Sequence, residues 1–140
     1  MCLSNATYIV DKSIKFCTDD LGRTFYAEVI DMDELQNQIS NRAEVDKKTQ
    51  KSIRKNGNTD DESGHIIAKN LGGPNEAINQ IAMKKDLNRG KWKSLENNLS
   101  NNLKDLKYFK IKVFYEEKSK RPIEFDISYT INIKNCYKER

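Results

Sequence analysis

Two stretches near the C-terminal end of the 140-residue chain restrict its architecture more than any other feature. Phe109, Ile111, Val113 and Tyr115 alternate with Lys110, Lys112 and Phe114, and Phe125, Ile127, Tyr129, Ile131 and Ile133 occupy every second position further on. Successive side chains of a strand point to opposite faces, so each stretch predicts a strand with one buried face. The linker from Glu116 to Pro122 makes the two an antiparallel pair.

The segment before this pair is helical. Trp92, Leu95, Leu99, Leu103 and Leu106 recur at intervals of 3, 4, 4 and 3 residues, which predicts a helix from about Asn88–Lys91 to Lys107. The first third reads as β structure, with strands at Tyr8–Val10 and Thr24–Ile30 and a turn at Asp19–Arg23. A helix is expected from Met32 to Asn41, with Leu35 and Ile39 on one face. The polar stretch from Asn41 to Thr59 should be partly helical and then looped, long enough to suggest a functional segment. Ser63–Ala68 is read as the end of a loop running into a short buried strand. Leu71–Asn75 is a turn, and Ile78–Met83 a second short apolar segment. The class is therefore α+β, with one antiparallel sheet and few helices.

At this length the chain accommodates a single domain, 1–140, with its core over 8–133. Hydrophobic residues make up 36% and charged residues 33%, and no apolar run approaches the ~20 residues that cross a bilayer. No basic region followed by a long apolar stretch opens the chain, so no conventional signal peptide is visible. The segment is expected to be the C-terminal part of a larger exported protein. Cys2, Cys17 and Cys136 are scattered, form no CxxC pair and read as incidental thiols rather than a zinc site.

The net charge of +4 matters less than its distribution. Lys84, Lys85, Arg89, Lys91 and Lys93 lie close together against Asp86 alone, a surface suited to a polyanion. His65 is the only histidine, and an imidazole with an ordinary pKa near ~6.5 is a natural general base at neutral pH. Gly64 before it permits close backbone approach. Asn88 and Glu96 are eight residues apart, so on one helix they would point within ~80° of each other and could offer an amide oxygen and a carboxylate to one site. Alternatively, Asn88 is an N-cap and Glu96 a surface charge.

Taken together, Asp61–Ala68, Gly72-Gly73-Pro74-Asn75-Glu76, Asn79, and Leu87–Trp92 with Leu95-Glu96 resemble the DNA/RNA non-specific endonucleases, which carry a ββα-metal finger. The Gly-Gly-Pro pattern is similar to the subgroup found at the C-terminal ends of bacterial polymorphic and type VII-secreted toxins. Asp20–Arg23 and Arg121–Phe125 resemble the subgroup's flanks, so the likeness covers about Tyr8 to Ile133.

The resemblance implies a finger on an antiparallel sheet with one long metal-bearing helix. It implies His65 as general base and Asn88 as the only direct protein ligand of Mg²⁺, with Mn²⁺ as an alternative ion. Glu96 would orient a metal-bound water, and Asn79 would support the site by hydrogen bonding. The chain departs from the Asp-Arg-Gly-His pattern: Glu62 is the acid, and Ser63 stands where an arginine would contact phosphate. Arg54, Arg89 and Arg121 are candidate replacements, with Arg42 a weaker one, and Lys84 and Lys85 are further nucleic-acid contacts.

The implied activity is Mg²⁺-dependent hydrolysis of DNA and RNA without sequence specificity. The implied setting is an antibacterial toxin domain, part of a larger secreted or delivered protein, acting in the target cytoplasm. A cognate acidic immunity protein is the expected partner, and no membrane contact is expected. An RNA-restricted nuclease of the same fold and a non-catalytic nucleic-acid- or partner-binding module are the alternatives.

Overall fold

The computed structural model describes residues 2–42 and 46–132, so the expected placement of Ile133 at the end of a strand and the thiol of Cys136 lie outside the described residues. The strands are β1 (Thr7–Val10), β2 (Ile14–Thr18), β3 (Thr24–Val29), β4 (Glu62–His65), β5 (Gln80–Met83), β6 (Leu106–Tyr115) and β7 (Pro122–Ile131). The helices are α1 (Met32–Asn37), α2 (Lys47–Arg54), α3 (Lys85–Arg89) and α4 (Lys91–Asn101). Five strands form one antiparallel sheet in the order β1-β2-β3-β6-β7, and β4 and β5 form a separate antiparallel pair. The fold is α+β, as the alternation predicts.

The expected C-terminal pair is present. Val113 faces Phe125, Ile111 faces Ile127 and Phe109 faces Tyr129, so the two apolar faces coincide. That face is buried through Phe109, Ile111 and Val113 and continues into Ala27, Ile14 and Phe16. The hairpin β4–β5, α1 and α4 cover it, contributing Ile81, Leu35, Trp92 and Leu99 to one apolar cluster. Polar ties reinforce this packing, one from the sheet to the segment entering β5 and one within the sheet. Thr24 Oγ1 donates to the Ile78 carbonyl at 2.8 Å, and the Tyr115 hydroxyl donates to the Thr24 carbonyl at 2.7 Å.

Strand β2 was not anticipated. It is five residues long, and the turn that leads into it contains no glycine: Asp11 and Lys12 take φ values of 52° and 58°. Tight hairpins of this kind normally announce themselves by Asn-Gly or Asp-Gly, and here the left-handed turn is made without that signal. The expected turn at Asp19–Arg23 then joins β2 to β3, with Gly22 at φ 75°.

The long helix also differs from expectation. It is broken into α3 and α4 at Gly90, whose φ of −103° and ψ of −106° are not helical. A Cβ there would lie 2.6 Å from the Asp86 carbonyl oxygen, so the break requires glycine. After Asn101 a 3-10 turn, Leu103–Asp105, leads into β6. The five-residue apolar stripe therefore runs through three elements, because Leu103 and Leu106 face the same core from a turn and a strand. The helix expected over Met32–Asn41 divides similarly into α1 and a 3-10 turn, Ile39–Asn41.

Arg121 precedes β7 and ties its linker to the segment entering β4. Its Nε donates to Asp61 Oδ2 at 2.5 Å, and Asp61 is buried, 7% exposed. Burial alone would raise the Asp61 pKa, but the hydrogen bonds from Arg121 and the Asn58 N–H, with the guanidinium charge, outweigh it and hold the carboxyl below its ordinary range. A depressed folded-state pKa means that the pair's contribution is complete above the unfolded value near ~4 and is lost as the pH falls below it. Asp61→Asn should lower stability by about 1.5–3 kcal/mol at pH 7. In urea titrations, the gap between variant and wild type should close as the pH falls below about 4; a gap independent of pH would refute the ionic origin.

Candidate functional site

The site begins with the end of β4. Gly64 pairs with Ile81 and His65 with Gln80, so His65 is the last residue of its strand rather than the first of one. The short strand expected within Ser63–Ala68 stops at His65, and Ile66–Ala68 is a buried irregular segment, anchored by Ile66 N–H to the Asn79 carbonyl at 2.9 Å. Asn79 itself is fully buried. Its Oδ1 accepts from Ile67 N–H, and its Nδ2 donates to the carbonyls of Ile67 and Pro74, all at 2.8 Å. It thus positions the chain after His65 without facing the cleft. Gly73 is part of the same closure: a Cβ there would sit 1.8 Å from the Ile67 carbonyl oxygen.

A cleft of about 450 Å³ is lined by Glu62, Ser63, Gly64, His65, Asn88, Arg89, Lys93 and Glu96. The pairing of Asn88 with Glu96 does not come from one helix face. Asn88 arrives on α3 and Glu96 on α4, and the bend at Gly90 lets both meet β4. A Cβ on Gly64 would lie 3.0 Å from Asn88 Oδ1 and 3.1 Å from Met83 Cε, so the glycine is the gap that admits the asparagine beside the histidine. Trp92, buried from α4, donates from Nε1 to the His65 carbonyl at 3.1 Å and packs on Phe125 with ring centroids 4.8 Å apart and planes tilted by 48°.

Asn75, from the Gly-Gly-Pro turn, was not singled out from the sequence, yet its Oδ1 lies 2.6 Å from His65 Nε2. With a carbonyl oxygen there, Nε2 carries the proton and Nδ1 keeps the lone pair. Burial pushes the His65 pKa below its ordinary value; the Asn75 hydrogen bond opposes this, and the Lys69 charge adds to it. The imidazole is therefore neutral, and able to accept a proton, at neutral pH. The Gln80 amide donates to the Asn75 carbonyl at 3.1 Å, and Ser63 Oγ donates to Gln80 Oε1 at 2.7 Å, so a polar chain braces the turn against β4.

Glu62 organises the opposite wall. Arg89 grips both its oxygens, with Nη2 at 2.5 Å from Oε2, and Asn88 Nδ2 donates to Oε1 at 3.2 Å. The Arg89 bond chiefly, with the Asn88 bond also contributing, lowers the Glu62 pKa against the effect of burial. Because the Asn88 amide nitrogen is committed to Glu62, its oxygen is the end left to meet a cation. Glu96 is half-buried, and burial raises its pKa to about 7, with Lys93 pulling the other way.

Among the described residues, no three His, Cys, Asp or Glu side chains converge. With Glu62 bound to Arg89 and Asn88 and Ser63 to Gln80, the cleft's remaining oxygen donors are the Asn88 amide and the Glu96 carboxylate, a sparse hard-oxygen set. That set suits an ion such as Mg²⁺, which retains much of its water, better than one that needs a full protein cage.

Of the candidate cations, Arg89 lines the cleft, as does Lys93. Arg121 is held by Asp61, and Arg42 by Asp11 and the Gly72 carbonyl, and neither lines the cleft. Arg54 is exposed on α2, outside the cleft lining, and Lys84 and Lys85 are exposed at the start of α3.

A family model for DNA/RNA non-specific endonucleases matches residues 4–133. The chain belongs to the DNA/RNA non-specific endonuclease family. It is also similar to the type VII secretion system protein EssD of Staphylococcus aureus strains USA300 and NCTC 8325, at 37% identity over 81 residues. The counterpart from strain Newman matches to the same extent. These alignments cover 52% of this chain and 13% of each relative, so the chain spans only a small part of their length. For this endonuclease-family chain, Asn75→Ala should release the ring. In ¹⁵N spectra at neutral pH, wild-type His65 should be the Nε2–H tautomer, and the variant should show an increased Nδ1–H population. An unchanged tautomer ratio would show that Asn75 does not set it.

Proposed function

We propose that this chain is a metal-dependent nuclease domain that hydrolyses DNA and RNA without reading sequence, and that it serves as an antibacterial toxin domain. The observation that carries the reading is the meeting of His65, Asn88 and Glu96 in one cleft, brought there by three separate elements. Family membership supplies the reaction class. The single-metal chemistry is supported by the orientation of Asn88, whose nitrogen is bonded to Glu62 and whose oxygen accepts no hydrogen bond among the described residues.

In this reading, His65 Nδ1 takes a proton from the attacking water, while Asn75 keeps the ring in the tautomer that can do so. Asn88 Oδ1 would hold Mg²⁺, and Glu96 would orient a water of its shell. When bound, the ion supplies charge neutralisation at the phosphoryl and leaving oxygens. Arg89 adds positive charge at the cleft mouth, where a phosphate would compete with Glu62 for it. Contacts to backbone phosphate alone are tolerant of sequence, and the products expected are 5′-phosphate ends.

The toxin reading rests on the likeness to a type VII secretion system protein. Delivery as part of a larger secreted protein, action in the target cytoplasm and neutralisation by an acidic immunity protein over Lys84–Lys93 follow from it. Among the described residues, no helix is long and apolar enough to cross a membrane.

Plasmid DNA and RNA should both be degraded in Mg²⁺ and spared in EDTA. His65→Ala should reduce the rate by about 10²–10⁴-fold. Asn88→Ala should weaken Mg²⁺ use more than nucleic-acid binding, with a smaller effect for Glu96→Ala. Full activity in excess EDTA, or near-normal digestion by a folded His65→Ala protein, would refute the mechanism. In a Glu96→Gln background, which removes the second titrating group of the cleft, the acid limb of kcat/KM should have its midpoint below ~6.5, because burial depresses the His65 pKa.

Expression without a partner in a bacterial cytoplasm should stop growth for wild type and be tolerated for His65→Ala. Harmless accumulation of active wild type would remove the toxin role alone.

A further inference from the structure

Helix α2 carries its charge in an arrangement that opposes its own stability. Lys47, Lys48, Lys51, Arg54 and the C-cap Lys55 fall within an arc of about 120° at 100° per residue. All five are exposed, and no Asp or Glu occurs from Lys47 to Thr59. Among the described residues, none of the five forms an ion pair.

Lys47 and Lys48 stand in the first turn, where the helix dipole is already positive. Asp46 is the cap there, accepting from the Lys48 N–H and the Thr49 hydroxyl. Lys47 with Lys51, and Lys51 with Lys55, are like charges at i,i+4, a spacing that destabilises a helix. The other face has only Ile53 as an apolar anchor, and it is half-buried. A short helix with these features gains stability when a polyanion neutralises its outer face.

The position of α2 matches that need. It packs against both β4 and β5, the hairpin that presents His65. The loop leaving α2 stays close to β5, since a Cβ on Gly57 would lie 2.8 Å from Ala82 Cβ. It enters β4 at Glu62, opposite Met83, and Lys84 and Lys85 follow Met83 directly. The C-terminal cations of α2 and this lysine pair therefore share one end of the hairpin, while Arg89 and Lys93 flank β4 in the cleft.

We propose that α2 is a second, non-catalytic binding surface that grips the phosphate backbone of a nucleic acid outside the cleft. The inference rests on the nuclease reading and extends it, because the polymer is then held at two places and cut at one. From Lys47 to Lys55 the helix rises about 12 Å, or roughly three steps along one strand of a duplex. A grip on phosphates alone adds affinity for long polymers of any sequence.

The test is binding of a fluorescent duplex of ~30 bp in EDTA over a range of salt, comparing the whole chain with its Lys47→Gln, Lys51→Gln, Lys55→Gln triple variant. The variant relieves like-charge contacts and should melt no lower than wild type. Its Kd should rise about tenfold or more, and the log–log salt slope should become shallower by roughly 2–3, at about 0.9 per phosphate contact. An unchanged Kd and slope would overturn the proposal. Cleavage is read separately: wild type that cuts neither polymer in Mg²⁺, while the variant loses duplex binding, would remove the nuclease reading and sustain this one.

Discussion

The buried amide of Asn79 uses both of its N–H donors and its oxygen on the segment between His65 and Asn75. That segment has almost no regular secondary structure, so its backbone groups would otherwise be buried without partners, at about 1–3 kcal/mol each. By supplying those partners, Asn79 lets an irregular chain sit in the core. It thereby sets where β4 ends and where the Gly-Gly-Pro turn returns. His65 and Asn75 meet because this loop has one shape. The glycines complete the constraint: Gly73 is pressed against the Ile67 carbonyl, and Gly72, at φ 104°, is pressed against the Leu35 carbonyl.

On this support, the cleft is assembled by mutual orientation rather than by a dense cluster of charges. Glu62 holds Arg89 and the Asn88 amide nitrogen, and Asn75 holds His65 Nε2. Each partner thus fixes which atom, Asn88 Oδ1 or His65 Nδ1, is turned away from it. Gly64 keeps these atoms close because any larger residue would push Asn88 or Met83 away. The departure from an arginine at Ser63 fits the same economy, since Ser63 Oγ is committed to Gln80 and Arg89 brings a guanidinium into the cleft from another element.

Cations gather in the cleft and on the exposed face of α2, among other places, while several arginines serve structure. Arg23 is a clear case. It bonds Asp19 and the carbonyls of Glu116 and Ser119 and lies over the Tyr115 ring, fastening the β2–β3 turn to the β6–β7 linker. Arg121 does the same for the approach to β4. Residue type alone does not separate these roles, because the same fork-shaped group suits a carboxylate, a carbonyl or a phosphate.

What the sequence determined by itself was local and periodic. The alternation of β6 and β7, the apolar stripe of α4 and the Gly-His motif depend on neighbours a few residues apart, and they were legible without coordinates. Asn88 and Glu96 were also selected, although the argument from one continuous helix did not anticipate Gly90. β2 escaped because its turn is made by Asp11 and Lys12 rather than by glycine. Only the tertiary structure decided that Arg121 meets Asp61 across 60 residues, that Asn75 meets His65, and that α2 lies on the hairpin that carries His65. These depend on which distant surfaces bury each other. Side-chain periodicity reports which face of an element turns inward, and the packing of the whole core selects what that face meets.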